Sequence, residues 1–239
     1  MNIDCSSKRY DILNKEINAA SGDVTLEHCI GQRFIGAGAE GRTITINGVP
    51  GNALGAYLNG ADIVVNGNAQ DATGDTMNSG RIIVHGRCGD AAGYAMRGGK
   101  IFIEGDVGYR AGIHMKAYAD KYPVLVFGGR SGSFLGEYQA GGLIIALGLN
   151  CRDEEILGNF SATGMHGGHI LVRADRLCAR LSEQIASRRA TAEDMKLAAP
   201  YIREYCACFG IPEEKVYEKS FFTLTPNSSN PYKQLYIQN

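Results

Sequence analysis

Charge of one sign is what this chain most plainly lacks. Its 239 residues carry 24 basic and 25 acidic side chains for a net charge of -1, which excludes the basic or acidic field that nucleic acid or anionic lipid recognition needs. Long apolar runs are missing too. No stretch approaches the roughly eighteen residues of a membrane-spanning helix, and Met1 to Tyr10 is polar, without the apolar core of a secretory signal. The cysteines at 5, 29, 88, 151, 178, 206 and 208 are odd in number and scattered. They do not read as a disulfide framework, and reduced thiols in a cytoplasmic protein are the expectation. Glycine alone is abundant, at 32 residues, and it lacks the third-position period of collagen.

The glycines recur at a longer interval. Six apolar runs, Thr43–Ile46, Ile63–Val65, Ile82–Val84, Ile101–Ile103, Val124–Phe127 and Leu143–Ala146, are closed by Gly48, Gly67, Gly86, Gly105, Gly129 and Gly148. Successive closing glycines are 19, 19, 19, 24 and 19 residues apart, so one link holds five extra residues, within Met115–Pro123. Gly55, Gly74, Gly93, Gly112 and Gly136 keep the same period and the same insertion. A repeat of about twenty residues with strands and turns but no helical pattern predicts a β-solenoid. The expected fold is mainly β: a right-handed, single-stranded parallel β-helix of about seven coils over residues 1–173. A C-terminal segment, 174–239, adds α-helices and an extended tail that pack on it.

Stacking the units places Ile44, Ile63, Ile82, Ile101, Leu125 and Ile144 in one column and Ile46, Val65, Val84, Ile103, Phe127 and Ala146 in another. Residues two apart in a strand share a face, so both columns fill the interior. Leu58, Met77, Met96 and Met115 close another wall, and glycines turn the corners of a three-segment coil. The column between the two core ladders, Thr45, Val64, Ile83, Phe102, Val126 and Ile145, points outward yet is mostly apolar. A stripe of that kind is expected to be covered.

Leu177, Leu181 and Ile185 follow helical spacing and predict a helix over Ala174–Arg189, the nearest candidate to cover the stripe. A second helix is expected from Thr191, capped with Asp194, toward Cys208, with a break or kink at Pro200 and a stop at Gly210. Pro212 opens a short third helix. Phe221–Asn239 reads as an extended strap.

The segments Gly51–Gly67, Gly67–Gly86 and Gly89–Gly108 resemble the glycine-repeat domain at the C-terminus of the glutamate synthase large subunit. The resemblance runs from about Gly31 to Val172. It implies a β-helix without catalytic residues, lying beside an amidotransferase domain and a synthase domain that carries FMN and an iron–sulfur cluster. A chain holding the repeat alone resembles the arrangement in which each domain is a separate polypeptide. It would then be a structural, bridging subunit in glutamate biosynthesis and ammonia assimilation, with the oxidoreductase activity and both cofactors on partner subunits; homo-oligomerisation is also open. A related repeat occurs in a subunit of formylmethanofuran dehydrogenase, a molybdenum or tungsten enzyme. The other alternative, a free-standing β-helix enzyme or binding module, would need carboxylates clustered along a groove, where these columns are aliphatic or glycine.

No catalytic, cofactor-binding or metal-binding residue is assigned. Gly36-Ala37-Gly38-Ala39-Glu40-Gly41 spells a dinucleotide fingerprint, but β-branched Thr43 to Ile46 follow where a helix is required. His166 and His169 lack the supporting ligands of a metal site. Cys206 and Cys208 face different directions on a helix. Cys5 does not resemble the N-terminal nucleophile of an amidotransferase. Glu104, Asp106, Arg110 and His114, with Arg81, Arg87 and Lys100 of neighbouring coils, read as a solvated corner or a docking patch.

Overall fold

The computed structural model describes residues 1–227. In chain order its elements are β1 (Asn2–Asp4), α1 (Tyr10–Ala19), β2 (Val24–Ile30), β3 (Thr43–Val49), β4 (Asn59–Asn66), β5 (Ser79–Val84), β6 (Lys100–Ile103), β7 (Val124–Phe127), β8 (Ala140–Ala146), β9 (Gly167–Arg173), β10 (Ile185–Arg189), α2 (Ala192–Phe209), α3 (Glu213–Tyr217) and β11 (Phe221–Pro226). They form one sheet in which β1 to β9 lie in sequence order, every pairing parallel, making a solenoid of about eight turns. The turn beyond the expected seven comes from β2, which pairs Val24 with Ile44 and Leu26 with Ile46 ahead of the first glycine-closed run.

The columns are literal neighbours. Ile44, Ile63, Ile82, Ile101, Leu125, Ile144 and Ile170 are successive register partners across β3 to β9, and each is fully buried. Leu58, Met77, Met96 and Met115 are buried from another side. A further wall is marked by parallel bridges joining Ala69, Cys88, Val107 and Ser131. At roughly 1.5–3 kcal/mol per buried large aliphatic side chain, these ladders hold the coil closed.

The glycine wall has an unusual backbone. In each turn three residues, two apart, have positive φ: Ala53, Gly55 and Tyr57 at 61°, 63° and 56° in one turn, and Arg110, Gly112 and His114 at 58°, 70° and 55° in another. Their N–H groups bond alternately to the next and the preceding turn, as when Ala53 donates to Asp71 O, Gly55 to Ile35 O and Tyr57 to Asp75 O at 2.9, 2.8 and 2.8 Å. The central glycine is required by space as well as by φ. A Cβ on Gly55 would lie 2.7 Å from Cδ1 of Ile82 in the next turn, and one on Gly136 would lie 2.7 Å from Cδ1 of Ile170. In the last turn the same column holds Ala162 (φ 62°), because no further isoleucine rung follows Ile170.

The ends are finished differently. α1 buries Leu13 and Ile17 in the first turns, and Arg42 donates to the carbonyls of Ile17 and Ala20 at its C-terminal end at 2.9 and 3.0 Å. At the other end β11 pairs antiparallel with β9, and β10 with β11. The helix expected over Ala174–Arg189 does not form. Leu177 and Leu181 lie in irregular chain packed against the main core, and Ile185 begins β10. An open strand edge at β9 and an open core end favour a strand and a plug over a helix here. Of the strap, Phe221–Pro226 is β11, and residues 228–239 lie outside the described part.

α2 forms as its signals direct. Thr191 Oγ1 accepts from Asp194 N–H at 3.3 Å, and the Asp194 carboxylate accepts from Thr191 N–H at 2.7 Å. Gly210 ends the helix at φ 63°. The helix runs on through Pro200 rather than stopping there, giving up only the N–H bond that proline lacks. α2 is also what covers the outward stripe, a place expected for Ala174–Arg189. Its Ala198, Ile202, Tyr205 and Cys206, spaced on one face, pack with Ile83, Phe102, Val126 and Ile145, and Val64 is packed partly against them. Buried Arg173 ties α3 to the last turn, donating to Val216 O at 2.7 Å, Lys215 O at 2.9 Å and Leu147 O at 3.4 Å.

Candidate functional site

Six of the seven residues grouped as a corner patch separate into three places, and Arg87 lies apart, beside Asn68 and Cys88 on the turn next to Asp106. Arg81 and Lys100 turn toward α2. Arg81 bridges Asp62 at 2.8 Å and Glu204 at 3.2 Å, and Lys100 reaches Glu204 at 2.6 Å. This network borders a cavity of about 530 Å³ between α2 and the Met115–Pro123 insertion, where Asp120, Tyr122 and Tyr201 complete the lining. Burial pushes the Tyr122 phenol up to about 12, so it stays a neutral donor. The insertion is a tight hairpin in which Tyr118 and Lys121 exchange backbone hydrogen bonds of 3.1 and 2.9 Å. With both cations already matched to carboxylates, the cluster anchors α2 to the solenoid.

Glu104 and Asp106 lie instead on a cavity of about 560 Å³ beneath the link between α2 and α3, with Arg130, Cys151, Glu155 and Lys215 around it and Gly105, Gly128 and Gly129 among its lining. Asp106 accepts the Arg130 backbone N–H at 3.0 Å. Burial, and then the Asp106 charge, push the Cys151 thiol up. A protonated thiol with no histidine in the lining is no nucleophile. The mixed charges suit the pocket to polar contact with a ligand or protein surface.

Arg110 and His114 stand on the glycine wall, where positive φ turns large side chains outward. Phe160 is 62% exposed and Tyr57 59%. Tyr109, Phe134 and Phe160 follow one another with ring centroids 5.2 and 5.1 Å apart. Tyr94, His114 and Tyr138 form a second run, at 6.0 and 5.2 Å. Arg110 lies over the Tyr109 and Phe134 rings and pairs with Glu137 at 2.7 Å. This ridge of exposed aromatics is not legible in the sequence alone. Its one signal there is the spacing that puts Arg110 and Phe134 in register with Phe34, and Tyr57 in register with Gly38.

The remaining candidates sit where structural roles place them. Gly36 to Gly41 lead through turns into β3 without a helix. His166 Nδ1 lies 3.1 Å from Gly164 O, and His169 is half-buried with Nδ1 unpartnered. Cys5 and Cys29 are buried together in the first turns. Burial pushes Cys29 and Cys88 up to about 12 and Cys206 up to about 11, and raises Cys5 and Cys208. Among the described residues no three of His, Cys, Asp and Glu converge as metal ligands. No helix there is long and apolar enough to cross a membrane.

Glycine corners, an aliphatic ladder within and a helix over the outer stripe define a glycine-repeat β-solenoid. The chain belongs to the GXGXG motif family, whose model matches residues 6–227. It is 41% identical over 248 residues to an uncharacterized protein of Methanocaldococcus jannaschii, covering 98% of this chain and 95% of that one. It is also similar in fold to a chain of the formyltransferase/hydrolase complex of Methylorubrum extorquens, in complex with methylofuran. That likeness has a TM-score of 0.64 at 19% identity, over 83% of this chain and 71% of that one.

Proposed function

We propose that the chain is a non-catalytic structural subunit of a glutamate synthase-like complex. The observation that carries this reading is the family match across nearly the whole chain, in a repeat that resembles the glycine-repeat domain of glutamate synthase. The subunit holds a glutamine amidotransferase and an FMN and iron–sulfur synthase in one relative orientation, so that ammonia released from glutamine reaches 2-oxoglutarate without escaping. The chemistry belongs to the partners. This chain contributes a stiff body in which each turn is hydrogen-bonded to its neighbours, with polar corners for contact. Co-expression with separately encoded amidotransferase and synthase subunits tests it. The expected result is a three-component complex with glutamine-dependent glutamate formation and little free ammonia, both lost without this chain. Components that do not associate, or couple equally well without it, overturn the reading.

A second reading has one observation in its favour, the shared fold with a chain of a formyltransferase/hydrolase complex. On that reading the same solenoid is a subunit of a formyl-transferring enzyme related to formylmethanofuran dehydrogenase. Identification by mass spectrometry of the subunits that co-purify with the chain from its own cell separates the two.

A further inference from the structure

The glycine wall carries exposed aromatics that nothing in the described structure covers, and their distribution along the wall is uneven. The first positive-φ column reads, turn by turn, Phe34, Ala53, Ala72, Ala91, Arg110, Phe134 and Phe160. The second reads Gly38, Tyr57, Thr76, Ala95, His114, Tyr138 and Gly164. Backbone hydrogen bonds link the members in this order, from Phe34 N–H donating to Asn52 O through Phe134 N–H donating to Asn159 O. Bulk therefore alternates in blocks: small residues in the second to fourth turns of the first column, large ones in the fifth to seventh.

We propose that this wall binds a second copy of the same chain, face to face and antiparallel, about a two-fold axis between the fourth and fifth turns. Such an axis keeps each column opposite itself and reverses the order of turns. Arg110, Phe134 and Phe160 then lie opposite Ala91, Ala72 and Ala53 of the other copy. In the second column His114, Tyr138 and Tyr57 lie opposite Ala95, Thr76 and Gly164. Five of the six positions bring a large side chain against a small one; at the sixth Tyr57 meets the Tyr138 ring, which lies over Gly164 of its own chain. Each pair occurs twice, as an isologous contact demands. A second copy also has the same turn-to-turn rise of about 4.8 Å, so ridges and gaps stay in step along the whole wall. Charge is balanced. In the column before the first, Asp71 and Asp90 come opposite Ser133 and Tyr109; in the column before the second, Asp75 comes opposite Glu137, whose charge Arg110 of its own chain already offsets.

The area is sufficient. Phe160, Tyr57, Tyr94 and Tyr109, exposed by 62%, 59%, 39% and 36%, leave roughly 400 Å² in water at about 200 Å² per full ring residue. Arg110 and His114, which are exposed, and Phe134 and Tyr138, which are half-buried, add to this and bring the wall to the low end of standard interfaces, roughly 600 Å² per partner. Rigid aromatics with an arginine at the centre are the composition of an interface core.

The full chain, purified alone, tests the arrangement by sedimentation velocity across a concentration series, with cross-linking from a benzoylphenylalanine placed at Phe160. The expected species is a dimer whose cross-link joins position 160 to the peptide containing Ala53. Ala72→Arg, placing a charge opposite Phe134, is expected to give a monomer. Because that variant could fail for reasons of folding, Ala72→Glu is paired with Phe134→Lys, which is expected to restore the dimer through two symmetric ion pairs. A wild-type chain that remains monomeric at every concentration overturns the proposal. So does a dimer whose cross-link joins position 160 to its own equivalent or to another face, and so does a position-160 probe that labels only an added synthase or amidotransferase subunit.

Discussion

Tyr205 sets its ring edge-on to Phe102, with centroids 6.3 Å apart and planes at 84°, and donates its hydroxyl to Glu104 O at 3.3 Å. One side chain thus joins α2 to both the outer stripe and the corner that follows it. Its fully buried ring fills the space between helix and sheet, and the long hydrogen bond adds orientation. Tyr205→Ala is expected to cost about 3–5 kcal/mol, a fall of roughly 6–20 °C in melting temperature for a domain of this size. Tyr205→Phe removes only the bond to Glu104 and should cost under about 1.5 kcal/mol. Thermal unfolding of both variants checks this, and equal losses would show that the ring's packing is not the main term.

Gly55 meets Ile82 through a Cβ it does not have. Gly55→Ala combines a positive φ with a contact of 2.7 Å to Ile82 Cδ1, and a loss of about 1–3 kcal/mol is expected. Ile82→Val removes the colliding methyl. In that background Gly55→Ala should cost clearly less, leaving mainly the backbone strain. Denaturant unfolding of the four proteins gives the coupling directly; additive losses would mean that the ladder does not limit this position.

Ladders and capping signals are readable in the sequence because both are local or periodic. The 19-residue spacing by itself aligns Ile63 with Ile82 and Ile101, and Thr191 with Asp194 marks where α2 begins. Ala174–Arg189 misleads because Leu177, Leu181 and Ile185 satisfy helical spacing, while what decides their conformation is distant: the free edge of β9, filled by β11. β2 escapes the repeat pattern because Cys29, not a glycine, stands in register with Gly48, and α1 escapes it because its apolar face is short. Side chains such as Tyr57 or Arg110 say nothing about φ, so the exposed aromatic wall emerges only from the backbone.

Asp194 makes α2 sensitive to acid. The Arg188 guanidinium beside it, at 3.2 Å through Nη2, together with the backbone and hydroxyl of Thr191, holds its carboxyl well below the usual carboxylate range. A carboxyl lowered by folding contributes stability that is complete above its unfolded value near 4 and is lost as pH falls toward the folded one. Wild-type stability should therefore decline below about pH 5. Asp194→Asn should lower stability by about 1–2 kcal/mol at neutral pH and flatten that decline. An unchanged acid slope in the variant would remove Asp194 from the explanation.

Purified chain is expected to hold no stoichiometric flavin, iron or zinc and to release no ammonia from glutamine. The ground is the dispersal of its histidines and thiols: His166 and His169 are engaged or enclosed near the last turns, while Cys5 and Cys29 lie in the first ones. Elemental analysis, the flavin absorbance and a glutaminase assay check this, and stoichiometric metal or measurable hydrolysis would return catalysis to the chain.

Thiol chemistry gives the sharpest test of whether any cysteine here is a nucleophile. Cys178 is exposed, whereas Cys5, Cys29, Cys88 and Cys206 are buried and Cys151 and Cys208 are half-buried. A thiol pushed up to about 12, as at Cys29 and Cys88, is thiolate to only about one part in ten thousand at pH 8. Access adds to that, since these side chains line the closed interior of the coil. With an aromatic disulfide reagent the native chain should show one fast group, abolished by Cys178→Ser. Cys151 and Cys208 should follow slowly, and all seven should react at once in denaturant. A second thiol reacting as fast as Cys178 in the native chain would identify an activated cysteine and overturn the reading of this subunit as a scaffold without a nucleophile.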